Sequence, residues 1–262
     1  MSADAAAVST DAVTTERRGN IMLISINRPE VRNAVNGAVA EGIGRALDVL
    51  DHEDGLAVGV LTGNGGFFSA GMDLGAFVKG ESPWFGDRGF AGIAQRSAQK
   101  PLIAAIEGFA LAGGMEVALA CDLIVAAKGA KMGIPEAKRS LIAAGGALLR
   151  LPRRMPYHVV MELALTGDPM PAERFHEFGL VNRLAEPGSA VDVAIELAEQ
   201  LSKSGPLALI GSKRILQEQW DWSNEDMWQK QGEITGPVMT SEDAKEGASA
   251  FKEKREPVWK GR

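Results

Sequence analysis

The chain has 262 residues, 45% of them hydrophobic and 24% charged, with a formal net charge of −6. This composition excludes a disordered or fibrous protein and supplies enough length to bury a large core. The acidic balance also argues against nucleic acid as the main partner, because that affinity rests on clustered cations that neutralise phosphates.

Residues 1–13 are rich in Ala, Ser and Thr, contain Asp4 and Asp11, and hold no Lys or Arg. They lack the basic start of a secretory signal and the arginines of a mitochondrial presequence, so they predict a flexible tail on a cytoplasmic protein. Asn20 to Asn27 reads as a strand that Arg28-Pro29 ends. In residues 36–50, Val39, Ile43, Leu47 and Leu50 recur at helical spacing. A strand follows at Ala57 to Thr62, closed by the glycine-rich residues 63–66. Residues 75–92, with Trp84, Phe85 and several glycines, read as an irregular or mobile loop.

Pro101 to Glu107 is the next predicted strand, followed by a helix to about Cys121 and a strand from Asp122 to Ala127. Apolar strands alternating with amphipathic helices indicate an α/β unit with largely parallel strands. Cys121 is the only cysteine, so neither an internal disulfide nor a thiolate cluster can form. His52, His158 and His176 show no ligand spacing, and no metal is expected. No apolar run approaches the roughly 18–20 residues of a membrane-spanning helix, and no membrane association is expected. Beyond residue 155 the pattern turns helical. Ser189 and Asp192 have capping-box spacing, and Ala194, Leu197, Ala198 and Leu201 form an apolar stripe. Helices are expected at 206–219 and 241–255, so residues 201–262 form a helical region.

Three short segments carry candidate chemistry. Ala112-Gly113-Gly114-Met115-Glu116 follows a strand and opens a helix. Glycines there admit a ligand close to the backbone, and the helix start offers free N–H groups beside a carboxylate. Ser69-Ala70-Gly71-Met72-Asp73-Leu74 is a second turn of this kind, with Asp73 placed as a helix cap. Gly133-Ile134-Pro135-Glu136 is the third, with Pro at a helix start. Taken singly, each reads more readily as local structure than as a site.

Taken together, in their order and spacing, they resemble the crotonase (enoyl-CoA hydratase/isomerase) superfamily. The resemblance begins at Asn27-Arg28-Pro29 and runs through Phe68 to Leu74 and Ala112 to Glu116. It continues at Cys121-Asp122, Gly133 to Glu136, Leu165-Thr166-Gly167 and Gly179-Leu180-Val181. It ends at Glu246-Gly247 and Phe251-Lys252-Glu253-Lys254-Arg255. It implies an α/β fold with a crotonase-like ββα-spiral core at 14–200 and a C-terminal helical trimerisation region at 201–262.

The resemblance also implies roles. The backbone N–H groups of Met72 and Gly113 correspond to an oxyanion hole for a thioester carbonyl. Glu116 and Glu136 correspond to the two glutamates of the members that hydrate double bonds. Water addition to an enoyl thioester needs a base for the water and a proton for Cα, which two adjacent carboxyl groups can share. Glu136 is assigned the proton to Cα, and Glu116 the water. Reversible hydration of a 2-enoyl-CoA is expected. Δ3–Δ2 isomerisation or another CoA-thioester enolate reaction is the alternative, and a non-catalytic CoA- or RNA-binding relative the remote one. Coenzyme A would arrive as part of the substrate, with no permanently bound cofactor. Its expected contacts are Val31, Arg32, Ala70, Asp73 and Leu74, with Phe251 and Lys254 supplied by a neighbouring subunit of a homo-trimer or hexamer. Trp84, Phe85, Ala143 and Ala144 would line the acyl pocket. Ala143-Ala144-Gly145-Gly146 departs from the Pro-Gly step of many hydratases, so short-chain specificity does not carry over.

Overall fold

A computed structural model describes residues 10–262. The chain opens on an antiparallel pair, β1 (Val13–Arg18) and β2 (Ile21–Ile26), and helix α1 (Gly37–His52) follows, capped by the Asn36 side chain accepting from Val39 N. Next come β3 (Val58–Gly63), the short α2 (Leu74–Val78), and a hairpin of β4 (Trp84–Phe85) and β5 (Gly89–Phe90). The central stretch is β6 (Leu102–Ile106), β7 (Phe109–Leu111), α3 (Gly113–Ala120), β8 (Leu123–Ala127) and β9 (Lys131–Gly133). A 3₁₀ turn at Pro135–Arg139 leads to α4 (Ala147–Arg150), α5 (Tyr157–Thr166), β10 (Met170–Pro171), α6 (Ala172–Glu177) and β11 (Arg183–Ala185). Helices α7 (Ala190–Ser202), α8 (Pro206–Glu218), α9 (Met227–Thr240) and α10 (Glu242–Glu253) complete it.

The main sheet has the order β1-β2-β3-β6-β8-β11, parallel from β2 onwards. Both faces are covered, which is why β6 and β8 are apolar at every position rather than at every second one. In β6, Ile103 and Ala105 face the layer that holds Ala190, Ala194 and Ala198 of α7. Leu102, Ala104 and Ile106 face the larger core with α1 and α3. A second sheet, β10-β9-β7, stands beside it, and parallel bridges Val35 to Met72 and Ser69 to Ala110 bind the intervening loops. Among the described residues no helix is long and apolar enough to cross a membrane.

Several expectations are corrected. Residues 1–9 of the expected tail lie outside the described residues, but its end is packed. Ala12 and Val13 are buried, and Thr10 Oγ1 accepts from Val13 N at 3.0 Å. The expected loop at 75–92 holds most of α2 and the β4–β5 hairpin, fastened by Arg88, which is 1% exposed and donates to Asp48 and to Arg96 O. Ser189 makes no side-chain cap on α7. Glu107, at the end of β6, takes the amides of Gly188 and Ala190 instead, at 3.1 and 2.8 Å. A carboxylate with its charge at the helix start stabilises that end better than a hydroxyl.

Candidate active site

The loop 68–73 and the start of α3 are forced together by missing side chains. A Cβ on Gly114 would sit 2.3 Å from Ser69 O, and one on Gly71, where φ is +95°, would sit 2.7 Å from Gly113 N. Ala112 itself holds φ +51°, a strained conformation for a residue with a Cβ, and its N–H is held by Gly133 O at 2.9 Å. The result is a pair of converging amides. Val35 N–H donates to Gly71 O and Asp73 N–H to Val35 O, which leaves Met72 N–H pointing out of the bridge. Gly113 is the first residue of α3, and a Cβ on it would lie 3.3 Å from Met72 N. Among the described residues neither Met72 N–H nor Gly113 N–H has an acceptor. Two such donors aimed at one point can hold a developing oxyanion.

Beneath them lies Glu116. It is 4% exposed, in the first turn of a helix whose eight residues are all buried. Its Oε1 accepts from Ala147 N at 3.2 Å, and its Oε2 lies 2.6 Å from where a Cβ on Gly145 would stand. Burial raises its pKa to about 7, the Ala147 N–H opposes this, and the nearby Glu136 carboxylate adds to the rise. Glu136 sits in the 3₁₀ turn Pro135–Arg139, and its Oε2 is buried without a hydrogen-bond partner. Its pKa is raised as well, chiefly by burial. The structure therefore brings together two protonation-prone carboxyl groups and two free amides.

The residues expected to meet coenzyme A divide into two groups. Val31, Arg32, Ala70, Asp73 and Leu74 share one rim, stitched by Ala70 N–H to Arg32 O at 3.0 Å. Phe251 and Lys254 stand at the end of α10, where Phe251 is almost fully exposed and Lys254 N–H donates back to Ala250 O and Phe251 O. The expected acyl-pocket residues also divide. Trp84 and Ala144 line a cavity of about 940 Å³, together with Phe90, Gly145, Arg150 and Trp220. Phe85 and Ala143 do not line it. The Phe85 ring packs on α1 in the space left by Gly44, where a Cβ would lie 2.3 Å from its Cδ1, and Ala143 is buried. Phe90 stacks edge-on against Trp84 at 5.5 Å.

Sequence reasoning missed the supports of this site. Asn33, fully buried at φ +54°, accepts from Arg28 N–H and donates to Asn64 O and Phe67 O. Arg28 donates to Asp73, whose pKa is lowered by the Ala76 N–H and by that guanidinium. Arg28 belonged to a quoted motif but read only as a strand end, and Asn33 carried no signal of its own.

Comparison with known proteins agrees with this geometry. Residues 16–262 match the family model described as enoyl-CoA hydratase/isomerase. A solved enoyl-CoA hydratase from Mycobacterium tuberculosis H37Rv is 56% identical with a TM-score of 0.94, covering 97% of this chain and all of that one. A carnitinyl-CoA dehydratase from Salmonella paratyphi A is 40% identical over 261 residues, again 97% of this chain and 100% of its own. A solved carnitinyl-CoA dehydratase from Mycobacterium avium 104 is 42% identical with a TM-score of 0.76, over 96% of this chain and 99% of that one. With this fold and this extent of likeness, the chain belongs to the enoyl-CoA hydratase/isomerase family, in the crotonase superfamily.

Proposed function

We propose that the protein is an enoyl-CoA hydratase that reversibly adds water across a 2-enoyl-CoA thioester to give a 3-hydroxyacyl-CoA. The observation that carries this reading is the buried Glu116 and the buried, unpartnered Oε2 of the half-buried Glu136, beside the unpaired amides of Met72 and Gly113. The thioester carbonyl accepts from both amides. The β-carbon is then the electrophile, and Glu116 orients and deprotonates the water that attacks it. The enolate charge rests on the oxyanion between the two N–H groups. Its collapse takes a proton from Glu136 to Cα, and the proton gained by Glu116 resets the pair. A pKa of about 7 suits a group that must take a proton and lose it near neutral pH.

Coenzyme A enters as part of the substrate, against Val31, Arg32, Ala70, Asp73 and Leu74, and no resident cofactor takes part in these steps. Phe251 and Lys254 reach the nucleotide of a neighbouring subunit in a homo-trimer or a dimer of trimers. The exposed Leu216, Trp228, Met239 and Phe251 of the C-terminal helices favour such an assembly, because monomers seldom leave so many large apolar side chains in water. The acyl chain runs past Trp84, Phe90 and Ala144, beside a cavity whose lining includes none of Glu116, Glu136, Met72 and Gly113. The protein works in the cytoplasm on acyl-CoA metabolites.

The test is loss of the enoyl-thioester ultraviolet absorbance across acyl groups from short and linear to bulky. Glu116→Gln and Glu136→Gln are each expected to lower turnover at least a hundredfold. Turnover within tenfold of wild type in both variants would remove the proposed mechanism.

A further inference from the structure

Arg150, at the end of α4, has a guanidinium pushed into the protein without an ion-pair partner among the described residues. Its Nη1 donates to Gly145 O at 3.3 Å and its Nη2 to Ala94 O. It fills the space a Cβ on Gly146 would need, 2.0 Å from Nη1, at a residue whose φ of +108° already selects glycine. A half-buried cation held only by carbonyls is costly, so its position calls for a reason.

Both clasped segments bear on one carboxylate. Gly145 stands against Glu116 Oε2, and Ala147, two residues on, donates to Glu116 Oε1. Ala94 N–H donates to Phe90 O, and the Phe90 ring packs against both Gly113 and Gly145. We propose that Arg150 is the positioning residue for Glu116: its fork fixes the two segments that enclose the carboxylate and sets a positive charge beside it. This rests on Glu116 being the base of the proposed hydration.

The groups that face this pair are few. Glu136 opposes ionisation of Glu116, and Arg150 favours it. Arg154 faces Arg150 as a like charge, and the buried Cys121 thiol, raised by burial, stays neutral. Removing the Arg150 charge takes away one of the groups that favour ionisation and leaves only the Ala147 and Gly145 N–H groups against burial and Glu136, so the Glu116 pKa rises and less of the base is ionised at neutral pH.

The test combines kinetics with the titration of Glu116, read by carboxyl ¹³C NMR against a Glu116→Gln spectrum. For Arg150→Met the expected result is an upward move of the Glu116 midpoint by at least half a pH unit. The acid limb of the kcat profile should move by the same amount, kcat should fall at least tenfold and KM should change less than threefold. Arg150→Lys keeps the charge but cannot hold both carbonyls, so its midpoint should match wild type while kcat stays at least threefold low. A midpoint unmoved in Arg150→Met, or a wild-type kcat in Arg150→Lys, overturns the proposal. If Arg150→Met fails to fold, the Lys variant alone decides, and a displaced midpoint there is equally fatal. Full turnover in Glu116→Gln would instead sink the catalytic reading, and the NMR midpoint would still report on Arg150.

Discussion

Arg28 Nη1 donates to Asp73 Oδ2 at 3.0 Å across 45 positions of sequence, tying the second residue beyond β2 to the N-cap of α2. The same guanidinium holds Ala34 O at 2.7 Å, so one side chain fixes both sides of the Val35–Met72 bridge. Arg28→Met should cost about 1–2 kcal/mol of stability in urea unfolding at pH 7, since both partners are largely shielded from water. Asp73 has a lowered pKa in the folded state, so its contribution is complete above the ordinary carboxylate value of about 3.9. It is lost as pH falls through the depressed folded value. The gap between variant and wild type should therefore close at low pH, and a gap that persists there would assign the loss to packing instead of charge.

Glu116 works in the opposite sense. Its folded pKa of about 7 lies above the unfolded carboxylate value, so the folded state binds the extra proton. Stability should fall as pH rises from about 4.3 towards 7 and then level off, by an upper bound of about 4 kcal/mol at ~1.4 kcal/mol per pH unit. Glu116→Gln keeps an oxygen for Ala147 N–H and removes the charge. The inactive variant should melt higher than wild type at pH 8 and show little difference at pH 4. Equal melting temperatures at pH 8 would mean that Glu116 is not held against its own ionisation.

How much of this was legible in the sequence follows from range. Strands β2, β3, β6 and β8 were readable because burial on both faces makes them apolar runs, and α1 because its stripe has the helical period; β11, three residues with one buried, was not. β1 was not, because Val13-Thr14-Thr15-Glu16-Arg17-Arg18 is an edge strand with one buried residue. The strands of the second sheet have only two or three residues, too few to display a period. At the site, the glycine turns and both glutamates could be found from motif and spacing. The Ala147 amide on Glu116 lies 31 positions away, and Phe85 packs against a gap at Gly44; no local pattern encodes either contact.

The last seven residues are pinned, which their charge alone would not foretell. Asp243 accepts from Lys260 N at 2.7 Å and Gly261 N at 2.9 Å, while Trp259 Nε1 donates to Lys203 O at 2.9 Å. Arg255 forms a two-pronged pair with Glu246, whose pKa is drawn down to about 2 by that guanidinium and by Val258 N–H. Asp243→Ala leaves two amides without an acceptor and should cost about 1–3 kcal/mol. Hydrogen exchange should quicken in α10 and leave β3 and β6 protected, because the loss is local. Unchanged protection in α10 would show that the terminal segment is not what holds this helix.

The converging amides predict a contrast between neighbours. Gly113→Ala places a Cβ 2.5 Å from Phe90 Cζ, and Gly71→Ala places one 2.7 Å from Gly113 N at a backbone angle that disfavours any side chain. The Gly71 change presses directly on the Gly113 donor, the Gly113 change crowds Phe90 and lies 3.3 Å from Met72 N, and loss of one such donor typically lowers kcat about 10²–10³-fold. Met72→Ala changes a side chain and leaves the N–H where the Val35 bridge puts it, so kcat should stay within about threefold. The measurement is turnover at saturating substrate, with KM followed separately to exclude weaker binding. Should Met72→Ala fall as far as the glycine variants, the Met72 side chain and not its amide would be what the substrate meets.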